Sequence, residues 1–209
     1  MTHESLAVLR HAAEAGTVTI TASGPASAES VHRRETGLKP HFGTIHWTAP
    51  PSYRSFLAEH NTFTCRGEFG HDIVLVGDED MVELNSNTVH MPEHMDRGDG
   101  RCLSTNHLVG FADSGAEAIW CFDITQPGVD GEYPVYLREQ DEPRARLVDN
   151  GDWEDPDDSA PDFPSFAAWL DAMTRSLTAP EPPGCFLDLR TPDFYRAGHW
   201  RPRRSRGGA

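Results

Sequence analysis

Lysine is almost missing from this 209-residue chain: Lys39 stands alone beside 17 arginines, a ratio that points to a GC-rich genome and hence a bacterial source. Long apolar runs are missing too. No stretch approaches the ~20 residues that a bilayer-crossing helix needs. Met1-Thr2-His3-Glu4 leads straight into an amphipathic segment, without the basic-then-apolar pattern of a secretory leader, so a cytoplasmic protein is expected. The four cysteines (65, 102, 121 and 185) form no CxxC pair, which leaves no zinc-finger or redox framework. GxSxG, HExxH, GxxxxGKS/T and GxGxxG are all absent. An enzyme would need a nucleophile with a positioned base, or a metal constellation, and no such framework is visible. No enzyme and no cofactor are expected.

Positive charge is the remaining shortage. Asp and Glu number 33 against 18 Lys and Arg, a net of −15. Five arginines (196, 201, 203, 204 and 206) sit in an acid-free C-terminal tail, so residues 1–195 hold 13 basic against 33 acidic groups, a net of −20. Such a surface repels nucleic acid and anionic membranes. It attracts basic proteins, and long-range attraction speeds their encounter.

What is present is a soluble globular composition, 37% hydrophobic and 24% charged, long enough to bury a substantial core. The richest stretch is His107 to Ile124, which reads as two strands joined at Ser114-Gly115. Trp120, Phe122 and Ile124 share one face of the second strand, and Ile119 and Cys121 share the other. Apolar residues on both faces predict a strand covered on both sides, with Cys121 a buried, reduced thiol.

Around this hairpin, residues 2–15 read as an amphipathic helix on Leu6, Leu9 and Ala13, and Thr17 to Thr21 as a short strand. Ala28 to Gly37 suits a short helix. Pro50 to Asn61 is a helix with proline in its first turn and Tyr53, Phe56, Leu57 and His60 along one face. Ile73 to Val76 is a strand, and Met81 to Leu84 a short strand or helix. Tyr133 to Arg138 and Ala145 to Val148 continue the strands. Ser165 caps a helix whose stripe is Phe166, Trp169, Leu170, Met173 and Leu177. Phe186 to Leu189 suits an edge strand, and the Arg-rich end a disordered tail.

Two stretches invite a functional reading. His90, His94, Asp96, Asp99, Cys102 and His107 gather within one segment, and His90 and His94 have i, i+4 spacing. Pro92 falls between them and no metal motif frames the pair, so a solvated loop is expected and no metal is assigned. Asp149 to Asp162 carries seven acids (149, 152, 154, 155, 157, 158 and 162) around Trp153. It lacks the DxDxDG spacing of a calcium loop, and reads as a solvated run or a protein-binding surface.

Three pieces resemble the SUKH superfamily, also called the SMI1/KNR4 family. Pro50-Pro51-Ser52-Tyr53-Arg54-Ser55-Phe56-Leu57-Ala58-Glu59-His60-Asn61 is similar to its Pro-x-x-Tyr-x-x-Phe-Leu-x-x-x-Asn helix. Phe111-Ala112-Asp113-Ser114-Gly115, leading into Ile119-Trp120-Cys121-Phe122-Asp123, resembles its glycine turn and apolar strand. Pro134-Val135-Tyr136, followed by Ser165-Phe166 and Trp169-Leu170, resembles its later strand and helix. The resemblance implies an α+β fold, a mainly antiparallel β-sheet flanked by helices. It sets residues 49–178 as the family-like core, 1–48 as an N-terminal extension and 179–209 as a C-terminal extension. Bacterial members of the family are mostly immunity proteins that neutralise a toxin, and fungal members are regulatory interaction proteins. The implied role is to bind a cognate toxin domain, a nuclease or deaminase with a basic cleft, without enzymatic activity. The expected contact surface is Asp141, Glu142, Asp149, Asp152, Trp153, Glu154, Asp155, Asp157 and Asp158.

Overall fold

The computed structural model describes residues 2–38, 47–67, 72–88, 107–113, 118–139, 152–153 and 155–179. Helix α1 (Thr2–Glu14) follows its stripe, with Leu6 and Leu9 wholly buried. A tight turn at Gly16, whose φ is +78°, leads into strand β1 (Val18–Ala22). Helix α2 (Ala28–Gly37) is capped by the Ser27 hydroxyl, which accepts from Ser30 N–H at 3.0 Å. Helix α3 (Pro51–Leu57) turns Tyr53, Phe56 and Leu57 inward, as its spacing predicts.

Strand β2 (Phe63–Gly67) is an element that the sequence analysis did not predict. It alternates, with Phe63 and Cys65 buried and Thr64 and Arg66 turned away, but two apolar residues make a faint signal. β3 (Asp72–Leu75) follows, and then helix α4 (Asp78–Thr88), which settles the ambiguous 81–84 segment as helix. The hairpin strands are β4 (Leu108–Asp113) and β5 (Ala118–Asp123), followed by β6 (Val135–Glu139). Helix α5 (Phe166–Thr178) starts at the predicted cap, Ser165 Oγ accepting from Ala168 N–H at 3.2 Å. The expected strands at 145–148 and 186–189, the Ser114-Gly115 turn and the Arg-rich tail lie outside the described residues.

The six strands form one sheet in the order β1-β2-β3-β4-β5-β6, each antiparallel to its neighbour, and the fold class is α+β as expected. β5 is buried at every position. Its two faces feed two separate cores. Trp120, Phe122 and Ile124 join the main cluster, with Leu6, Leu9, Val18, Tyr53, Phe56, Phe166 and Trp169 among its members. Within that cluster Phe111 and Phe122 stack at 4.2 Å, and the Trp169 ring meets Phe111 edge-on at 5.0 Å. Ile119 and Cys121 join a smaller cluster with Leu108 and Tyr136, covered by Leu84 of α4 and by Trp153.

Two buried polar arrangements tie the layers together. The Arg34 side chain is wholly buried; it donates to Asn61 Oδ1 at 2.8 Å, to Asn61 O at 2.7 Å and to Val76 O at 3.1 Å, and lies 3.5 Å from Asp78 Oδ1. Asn61 Nδ2 donates to Asp78 at 3.1 Å and Arg33 Nε at 2.7 Å, so α2, the end of the α3 segment and the start of α4 share one carboxylate. Although burial pushes the Asp78 carboxyl up, the hydrogen bonds from Asn61 and Arg33 outweigh it and hold the group below the ordinary carboxylate range. The second arrangement serves a bulge. Register shifts between Gly110 and Ala112 in β4, and β3 reaches only Ala112 and Asp113. The Asn85 side chain takes the missing strand's place, accepting from Gly110 N–H at 2.8 Å and donating to Gly110 O at 2.9 Å.

Candidate interaction surface

Of the expected contact residues, Trp153 packs on the side of the sheet opposite the main core. In the β5–β6 register Cys121 opposes Tyr136 and Ile119 opposes Arg138, so these side chains share one face. The Trp153 ring lies over Tyr136 at 5.3 Å, half-buried against the smaller cluster. Tyr136 in turn donates its hydroxyl proton to Ser159 O at 3.0 Å, which pins the following turn to the sheet. Burial holds the Arg138 guanidinium below its usual range.

From Asp155 to Asp162 the acidic run is hydrogen-bonded and partly buried, unlike a solvated loop. Pro156–Ser159 forms a short 3-10 turn, and the Asp155 carboxylate accepts from Asp157 N–H at 3.0 Å as its cap. Asp152 and Asp157 are exposed and Asp155 is half-buried, but Asp158 is 4% and Asp162 2% exposed. For these last two the solvated reading is corrected. The reason at Asp162 is a backbone group: its carboxylate accepts from Leu137 N–H, on the outer edge of β6, at 2.6 Å. Charge alone gave no hint of this, because the partner lies on another strand. The structure therefore brings Asp152, Trp153, Asp155, Asp157 and Asp158 together beside β6. Asp141, Glu142, Asp149 and Glu154 lie outside the described residues.

The expected histidine segment contributes only His107 to the described structure, at φ +53° on the threshold of β4, while His90, His94, Asp96, Asp99 and Cys102 lie outside it. Among the described residues no group of three or more His, Cys, Asp or Glu is placed to hold a metal ion. Cys65 and Cys121 are buried thiols in no disulfide, as expected for Cys121. Burial, with the Asp72 charge adding to it, pushes the Cys65 thiol up to about 12, far from the range of a thiolate nucleophile at neutral pH. No described helix is long and apolar enough to cross a membrane.

The surface presents a half-buried ring tilted against Tyr136, and carboxylates fixed by a capped turn and a hydrogen-bonded edge. Among curated proteins no match to the chain was found. The profile of the SMI1/KNR4 family (SUKH-1) matches residues 44–172, more than half of the chain, and the chain belongs to that family.

Proposed function

We propose that the protein is an immunity protein that binds a cognate bacterial toxin domain in the cytoplasm and blocks its active site, with no catalysis of its own. The observation that carries this reading is the acidic, aromatic-anchored surface around Trp153 on a family scaffold of net charge −15. A toxin that acts on nucleic acid, such as a nuclease or deaminase, needs a basic cleft. An acidic surface fills that cleft in place of a phosphate backbone, and complementary charge raises the association rate. Affinity then comes from a buried anchor inside a polar rim, a role that suits Trp153. The contact surface comprises Asp141, Glu142, Asp149, Asp152, Trp153, Glu154, Asp155 and Asp157, with the buried Asp158 within the 3-10 turn.

The test is co-expression with the C-terminal domain of the protein encoded by the adjacent gene. Growth rescue together with co-purification is the expected result. A regulatory interaction protein of the fungal type would give neither, and would co-purify with housekeeping partners.

A further inference from the structure

The two edges of the sheet are finished differently. On β6 the Val135 N–H donates to Phe163 O at 2.8 Å, the Phe163 N–H returns to Val135 O at 3.1 Å, and the Leu137 N–H is taken by Asp162. The next outward position is Glu139, a charge that discourages a further strand. β1 has none of these devices. It carries no charge, no proline and no bulge. The Ser23 N–H donates to Thr62 O at 3.1 Å, continuing the β1–β2 ladder. Alternation from Ser23 turns the backbone groups of Thr21 and Thr19 toward β2, and those of Ala22, Ile20 and Val18 outward. The outward groups have no hydrogen-bond partner among the described residues.

We propose that β1 pairs with β1 of a second copy of this chain, antiparallel and two-fold symmetric about Ile20. The outward positions are spaced evenly to either side of that residue. The dyad sets Ile20 opposite Ile20 and Val18 opposite Ala22, so each outward N–H finds a carbonyl across the axis. On the helix-covered face the half-buried Ile20 gains cover from its counterpart. On the other face the exposed Thr19 meets Thr21, a favourable cross-strand pair. Because β6 is partnered at Val135 and Leu137, and β1 is the open edge among the described residues, the pairing closes at a dimer and does not run on as a filament. Each copy carries a net charge of −15, so the bodies repel at range and added salt tightens the dimer.

Sedimentation equilibrium of the full chain over a concentration and salt series tests this, alongside Ala22→Pro and Ile20→Lys. Ala22 is exposed and its N–H faces outward, so proline there removes no bond of the monomer. Ile20→Lys sets like charges opposite each other across the dyad. The expected result is a wild-type dimer that strengthens with salt, and an association weakened about tenfold or more in Ala22→Pro. Amide hydrogen exchange needs no variant: the Ile20 and Ala22 amides should slow as wild-type concentration rises. A wild type that stays monomeric at high salt overturns the proposal, as does a dimer unchanged by both substitutions. Edge protection that appears only when another protein is added also overturns it, because the edge then serves a foreign strand.

Discussion

The two faces of the sheet are built to different standards. The helix-covered face is closed by α1, α3 and α5 over a continuous aromatic cluster in which Tyr53, Phe56, Phe111, Phe122 and Phe166 are fully buried. The opposite face has a small cluster, roofed by part of α4 and by one half-buried tryptophan in an acidic segment. The first arrangement suits stability, since dense apolar contact resists any change of volume. The second suits the proposed recognition, since a ring half-buried on a small cluster can be offered to a partner without dismantling the main core.

Substitution should separate the two faces sharply. Phe111→Ala, at the crossing of the Phe122, Phe166 and Trp169 rings, should cost about 3–5 kcal/mol in denaturant unfolding. Asp78→Asn should cost about 3 kcal/mol, because it strips the carboxylate from a wholly buried Arg34. The same group sets an acid limb. Its carboxyl is held below the ordinary range in the fold, so folding favours the ionised form. That contribution is complete above the unfolded-state value and fades as pH falls through the folded one. A urea series against pH should therefore show wild-type stability falling on acidification, with a flatter limb in Asp78→Asn.

Asn85→Ala tests the junction between the faces. It leaves the Gly110 N–H and C=O without partners at the bulge, and about 1–3 kcal/mol should be lost by the same unfolding assay. On the face proposed for recognition the order of effects should reverse between stability and binding. Trp153→Ala should cost only about 1–2 kcal/mol of stability yet remove most toxin affinity in calorimetry. Asp152→Lys with Asp157→Lys, both exposed, should move stability by no more than about 0.5 kcal/mol. Their signature is slower association with toxin at low salt and a smaller difference at high salt. Affinity that ignores the double charge reversal at low salt would remove these acids from the contact surface.

Much of the stable face could be read from the sequence. Both faces of β5 were apparent from Ile119 to Ile124, because strand parity sorts alternating side chains without knowledge of the neighbours. α5 announced itself through its stripe and its Ser165 cap, both local features. β2 escaped because its inward residues are only Phe63 and Cys65, and an inner strand needs little apolar sequence once both neighbours hold it. The candidate site was harder for a different reason. Asp162 and Asp158 share their neighbours' chemistry but not their surroundings, and what separates them is set by the β6 edge and the 3-10 turn. Asn85 and Asp78 were equally silent, since Gly110 stands 25 positions from Asn85, and Asn61 and Arg33 stand 17 and 45 positions from Asp78.

One small contact bears on how the chain reaches this state. α3 has proline at its N-cap and no side-chain cap of its own. Its first turn is completed by Glu132, whose carboxylate accepts from the Ser52 N–H at 2.7 Å and the Ser52 hydroxyl at 2.6 Å, across 80 positions of sequence. At seven residues the helix is too short to persist alone. On the ribosome, then, the segment that bears Tyr53 and Phe56 waits as nascent coil until the β5–β6 connection has left the exit tunnel. The aromatic centre of the molecule is assembled late in synthesis, from parts made far apart in time.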